Sequence, residues 1–458
     1  MREVLCELIR KPKNGEYLEI RLERIVTTHV RIHNGLVEKA RVVEEQGGSV
    51  RILHPKTSWW FLSFQGWDDL EEKVEFGLRS AALLPESTTG VVLGEAFEDE
   101  VVFSPDEDFR EKPLGEKVRL LLEYARLVQE ASPYVVSSIV EYRDEWRSVY
   151  FANSEGTVLF WERPDISLSF VATARSGDTI EVYRDGVAGK AGFELVRRRE
   201  SLAYKVGKQA EALLWARSFP GGVYDVVLDP VLAGVFIHEA FGHLSEADFL
   251  SRNERLQRIM VLGKSIASPV LSVFDDGSLR NLRGASPYDD EGVRTRRTYL
   301  IKEGCLSGRL HSRETAFLLG ESPTGNARTI SYRFPPIVRM TNTGIEPGET
   351  PPEELFADIE RGLYAIEYVG GNTALELFTF SPAYGYVIEH GRLGEMVKDI
   401  VLSGNLFQTL GKIDAVACDF RWTEVGWCGK GAQVGLPTPT GSPHVRLREV
   451  LVGGQGYA

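Results

Sequence analysis

Cysteine is scarce in this chain of 458 residues: there are four, and no two of them form a CxxC pair. Scattered free thiols suit a reducing compartment, so a cytoplasmic location is expected. Long apolar runs are missing as well. No stretch approaches the roughly 18 consecutive apolar residues that a membrane span needs. Residues 1–25 carry no positively charged start followed by an apolar block, so neither membrane insertion nor export is expected. Clustered positive charge is the third absence. With a net charge of −13 and no basic stripe, the sequence offers no surface for nucleic-acid phosphates.

What is present is the composition of a soluble globular protein, 43% hydrophobic and 26% charged, in a chain longer than one core organises. Alternating apolar and polar residues from Met1 to about Arg51 predict strands, with Asn34-Gly35 as a two-residue hairpin signal. His29 and His33 fall on these strands as ordinary strand residues, and Cys6 in VLCELI reads as core. SWWFLSF (58–64) continues the sheet. DDLEEKVEFGLRSAALL and GEKVRLLLEYARLVQEA predict amphipathic helices, the second apolar at Val118, Leu121, Leu122, Ala125 and Val128. Between 137 and 190, strand-like runs broken at Ser154-Glu155-Gly156 and Arg184-Asp185-Gly186 predict a meander. A long helix is expected over 197–218. The pattern changes near residue 195, which divides the chain into an N-terminal α+β domain with the meander (1–195) and a C-terminal domain (196–458). Asp289, Asp290, Glu291 and Gly292 lack the ligand alternation of a calcium loop and are expected as a solvated turn. From about residue 362 onward, alternation with frequent glycine predicts a curved, largely antiparallel, barrel-like sheet. The fold class is therefore α+β.

Chemistry concentrates in HEAFGHLSEAD (238–248), which follows VYDVVLDPVLAGVFI, a strand running into a buried helix. His238 and His243 are candidate metal ligands, and Glu239 is a candidate proton acceptor beside them. The histidines are five residues apart, which on an ideal helix of about 100° per residue puts them about 140° apart. One extra residue absorbed as a π-bulge brings both rings to one ion, and Gly242 before His243 permits the deformation. The plainer reading is a buried helix whose histidines bond to carbonyls; Glu239, Gly242, Glu246 and Asp248 together favour metal. Catalytic zinc takes three protein ligands and leaves a fourth position for water. The third ligand is open among Glu246, Asp248 and a residue from elsewhere. Among the cysteines, Cys428 in the glycine-flanked turn GWCGKGAQ has ligand-like surroundings. Cys418 shares strand parity with Val416 and Phe420 and reads as core, and Cys305 follows Gly304 in a polar turn.

HEAFGHLSEADF, followed by GNARTISYRFPPIVRMTNTGIEPGE and WCGKGAQ, resembles the TldD/PmbA family, in particular its metal-bearing TldD branch. RIHNGLVEKARVVEEQGGSVR is similar to the family's opening hairpins, so the resemblance covers nearly the whole chain. It implies a zinc metallopeptidase with His238, His243 and Cys428 on Zn2+ and Glu239 as general base for the zinc-bound water. It also implies action on unfolded or extended peptides, with Thr341, Asn342 and Thr343 of MTNTG lining the cleft. A homodimer is implied, or a heterodimer with a metal-free TldE/PmbA-like subunit. Arg328 and Arg339 in the same segment have no assigned role. Two other readings stand beside this one. The chain is a catalytically silent scaffold or regulatory subunit, as gyrase modulation attributed to the family suggests, or it is a zinc amidase or aminopeptidase acting on small substrates.

Overall fold

Alternation over residues 17–53 produces two long strands, β1 (Tyr17–His33) and β2 (Leu36–Leu53), paired antiparallel across Asn34-Gly35. The computed structural model of the chain describes residues 1–13, 15–251, 253–374 and 376–454. Ahead of β1, the expected strand over VLCELI is instead a helix, α1 (Arg2–Leu8). Leu5 and Leu8, three residues apart, both bury against the sheet, and Cys6 packs beside them half-buried. β3 (Trp59–Gln65), α2 (Leu70–Ala81), β4 (Glu98–Val101) and α3 (Leu114–Glu130) follow. Next come the meander strands β5 (Val135–Asn153), β6 (Val158–Ser176) and β7 (Thr179–Gly189). They form one sheet in the order β3-β2-β1-β5-β6-β4, with β7 also on β6. The expected turn at Arg184-Asp185-Gly186 lies inside β7, where Gly186 pairs with Ser169. A Cβ there would come within 2.6 Å of the Leu168 carbonyl, so this glycine serves close approach between strands. α3 and α4 (Glu200–Trp215) cover one face of the sheet, burying Leu121, Tyr124 and Val128 with Ala203 and Val206 against Val140 and Phe170.

The second half is built around one short helix. β8 (Arg217–Ser218) and β9 (Gly222–Leu228) lead into α5 (Pro230–Ile237), where Asp229 accepts from the Leu232 amide at 2.8 Å and Pro230 takes the first helical position. β9 is central to a ten-stranded sheet that begins at Gly370–Ala374 and ends at β8. Its pairs are antiparallel except β9 with Arg361–Ile366 and β8 with Arg392–Lys398. The sheet is largely antiparallel as expected, but its path is open rather than closed into a barrel. A six-stranded sheet lies on the other side of α5, which contacts Thr440–Ser442, Thr343–Ile345 and Arg421–Thr423 there and β9 and Arg361–Ile366 opposite. A helix apolar on every face, as PVLAGVFI is, suits that sandwiched position. Phe236 meets Phe378 and Phe380 at centroid distances of 5.3 and 5.7 Å.

Two expectations fail in the connecting segments. Cys418 is exposed, because the strand Ile413–Val416 ends before it and the parity argument stops applying. Asp289, Asp290 and Glu291 are not a solvated turn: they are 2%, 2% and 1% exposed. Asp289 accepts from the backbone amides of Glu291, Val293 and Ala327, and arginines from the first sheet neutralise the other two. Arg21 pairs with Asp290, Arg163 reaches Asp290 at 3.2 Å, and Arg51 bridges Glu291 at 3.0 Å and Glu19 at 2.9 Å. Buried charges persist when paired in this way.

Candidate metal centre

α5 continues into a π turn, His238–Gly242, in which the His243 amide bonds to the His238 carbonyl five residues back. The absorbed residue turns the two imidazoles toward each other, with ring centroids 5.2 Å apart at 80°. Gly242 has an ordinary helical φ of −54°. It is required for space, since a Cβ would lie 2.1 Å from the Sδ of buried Met340.

Cys428 arrives from a separate hairpin, Trp427–Lys430 with Gln433–Pro437, in which it faces Leu436. Its Sγ lies 3.2 Å from His243 Nε2 across 185 residues of sequence. One ligand atom from each of His238, His243 and Cys428 falls within 4.8 Å of the others. His238 and Cys428 are 4% and 5% exposed. The hairpin backbone is held from below by the two arginines without an assigned role. Arg339 donates to the carbonyls of Cys428 at 2.8 Å and Gln433 at 3.2 Å, and Arg328 to those of Pro437 at 3.1 Å and Met340.

Glu246 and Asp248, both open as ligands from the sequence, have other partners. Wholly buried Glu246 bonds to His243 Nδ1 at 3.0 Å, which fixes the ring with Nε2 toward the sulfur. Lys430, two residues past Cys428, reaches Glu246 at 2.9 Å and Asp248 at 2.6 Å. Burial would push the Cys428 thiol up, but hydrogen bonds from His238 and His243 and their charge outweigh it and hold it down to about 5. Burial works against protonation of His243 too, and its bonds to Cys428 and Glu246 reverse that and raise it to about 10. The two shifts reinforce each other, each charge favouring the other. His238 Nδ1 is buried with no hydrogen-bond partner among the described residues. A thiolate, two imidazoles and that orphaned nitrogen fit a borderline-soft divalent ion such as zinc.

Glu239 sits at the open side with its side chain 31% exposed, its carboxylate 3.8 Å from His243 Nε2. Tyr368 stands near it: burial, and then the charge of Glu239, push the phenol up to about 12. Thr341, Asn342 and Thr343 are placed otherwise than the cleft expectation has them. All three are buried, the threonine hydroxyls bonded to Asp275 and the Asn342 amide to the Asp276 carbonyl at 2.6 Å. Sequence reasoning did not single out Lys430 or Tyr368. Lys430 had a local signal in its two-residue spacing from Cys428; Tyr368 had none.

Fold and site together define a mixed α/β protein with a candidate single-ion centre on a deformed, buried helix. The chain belongs to the TldD/PmbA metallopeptidase family. Family models described as PmbA/TldA metallopeptidase domain 1, central domain and C-terminal domain match residues 18–81, 107–214 and 221–454. A metalloprotease of Synechocystis sp. is 40% identical, covering 99% of this chain and 98% of the relative. A zinc metalloprotease TldD homolog of Saccharolobus solfataricus is 29% identical over 96% of this chain and 97% of its own length. The crystal structure of TldE from Thermococcus kodakarensis shares the fold, with a TM-score of 0.78 at 18% identity over 98% of each chain.

Proposed function

We propose that this chain is a zinc-dependent metallopeptidase that hydrolyses peptide bonds of unfolded or extended peptides, with His238, His243 and Cys428 as the zinc ligands and Glu239 as general base. The observation that carries the reading is the convergence of those three ligand atoms within 4.8 Å beside a part-exposed glutamate. The relatives named as metalloproteases, one of them as a zinc enzyme, support it. A zinc ion held by these three residues would supply Lewis acidity, enough to make a water reactive near neutral pH. Glu239 takes the proton of that water on its carboxylate and returns it to the departing amine. Its partial exposure and its lack of any short contact among the described residues leave it free for both transfers. Glu246 keeps His243 oriented throughout, and against burial His243 first and then Lys430 favour the ionised form of Glu246.

The preference for extended chains is supported by the sheet edge. Gly370–Ala374, the outermost strand of the ten-stranded sheet, contacts the π turn, and among the described residues its outer edge has no strand partner. A peptide added there by main-chain pairing would run beside Glu239 with little regard for side-chain identity. The proposal includes a dimer, either with a second copy or with a TldE-like subunit, the fold of TldE being the same. The buried MTNT segment takes no part in peptide contact in this reading.

Glu239→Gln tests the proposal. The amide keeps the shape and cannot take a proton, so cleavage of an unfolded peptide falls by about 10²–10⁴-fold, while zinc content measured by mass spectrometry stays at one ion per chain. Wild-type turnover in that variant defeats the assigned role.

A further inference from the structure

Beside the Cys428 hairpin lies a cavity of about 220 Å³, walled on one side by Trp427 and by Val434 to Pro437 and on the other by residues of the first sheet together with Arg283, Ala285 and Ile330. Five cations line it: Arg143, Arg147, Arg163, Lys190 and Arg283. Two carboxylates share the lining, and both are occupied. Glu145 binds Arg147 at 2.7 Å and Arg143 at 3.2 Å, and Asp165 chelates Arg283. Arg163 leans on Asp290, which Arg21 also claims. Lys190 has no carboxylate partner among the described residues, and its ammonium lies 5.8 Å from the centre of the Phe103 ring. Burial first, and then the charges of Arg163 and Arg280, bring its ammonium down to about 8. A surplus of positive charge around a cavity, in a chain whose net charge is −13, leaves an anion to be supplied from outside.

We infer that this cavity is a carboxylate subsite for the peptide substrate, with Lys190 and Arg163 as the groups that meet the anion. The inference rests on the peptidase reading above. The occupant follows from the wall. Trp427 and Pro437 form the cross-strand pair next to Cys428 and Leu436, so the cavity and the candidate metal centre share one hairpin. Trp427 and Val434 are 62% and 74% exposed at its rim, an apolar shoulder over a basic interior. That combination fits an acidic peptide segment, whose carboxylate comes from its C-terminus or from an Asp or Glu side chain.

The test uses the full chain loaded with zinc and three versions of one unfolded peptide. One has a free C-terminal carboxylate, one is amidated and neutral, and one is amidated with a single internal Glu. We expect KM for at least one acid-bearing version to lie about tenfold below that of the neutral one, and Lys190→Met to bring that ratio close to one. The version that responds identifies the source of the carboxylate. Equal KM values for all three peptides in the wild type, or an acid preference that survives Lys190→Met, overturn the inference. Fluorescence-anisotropy binding of the same labelled peptides separates it from the reading on which it rests. If no peptide is cleaved but binding still favours the acid forms and depends on Lys190, the peptidase proposal fails and the subsite stands. Inorganic phosphate is titrated as a competitor. Lys190-dependent phosphate binding without any discrimination among the peptides assigns the cavity to a free anion and refutes the proposal.

Discussion

Replacing Glu246 by Gln isolates the contribution of one buried carboxylate to the metal centre. Glu246 is 0% exposed, bonded to His243 Nδ1 at 3.0 Å and to Lys430 at 2.9 Å. Glutamine preserves volume and one oxygen but removes the charge that makes His243 a better donor and fixes its ring. Loss of such an outer partner costs about 10–100-fold in metal affinity, equivalent to about 1.4–2.7 kcal/mol. Lys430 keeps Asp248 at 2.6 Å and the Val338 carbonyl at 2.9 Å, so its ammonium is not stranded and the fold survives. The zinc dissociation constant, measured by competition with a chromophoric chelator, should rise by that factor. Thermal unfolding of the zinc-free variant by circular dichroism shows whether the fold is intact. A folded Glu246→Gln protein that binds zinc within about twofold of wild type would refute the idea that Glu246 positions His243.

Gly242→Ala places a methyl 2.1 Å from Met340 Sδ in a filled interior, and overpacking of this kind costs about 1–3 kcal/mol. We expect a lowered melting temperature together with weaker zinc binding, because the π turn must shift; pairing the change with Met340→Ala should restore both. Burial raises Glu424 to about 7 in the fold, against bonds from Arg283 that lower it. An acid with a raised folded pKa binds its proton more tightly when folded, so its contribution is present below about pH 4.5 and is lost as pH rises through about 7. Glu424→Gln should therefore gain stability relative to wild type between pH 5 and 8, on the order of 2 kcal/mol once partial exposure is allowed for. Parallel urea curves of the two proteins at pH 5 and pH 8 would dismiss it.

The five-residue interval in HEAFGH predicts the π turn once both rings are read as serving one ion, because an undistorted helix sets them too far apart. The amphipathic helices α2 and α3 and the long paired strands were equally readable, since periodicity is local. Errors arose where a distant partner decides the outcome. Asp289 to Glu291 look like a solvated turn until Arg21, Arg51 and Arg163, more than 120 residues upstream, neutralise Asp290 and Glu291 in the interior. Thr341 to Thr343 look like a polar cleft wall, yet Asp275 consumes both hydroxyls from a neighbouring strand. VLCELI satisfies a strand pattern and a helix pattern at once, and packing of Leu5 and Leu8 chose the helix.

One charge arrangement links the candidate centre to the cavity beside it. Arg328 and Arg339 hold the Cys428 hairpin through backbone carbonyls rather than through carboxylates, so their charge is not cancelled where it acts. Burial, and then Arg163, bring Arg328 down to about 9 against the opposing charges of Asp290 and Asp275. The same surplus continues through Arg163 to Lys190 in the cavity wall. A carbonyl tie fixes position without supplying negative charge, so the device that aims the sulfur at the histidines also leaves the far face of its hairpin positive. On the proposed reading, the arginine–carbonyl ties hold one hairpin that carries both the candidate sulfur ligand and a wall of the proposed carboxylate subsite.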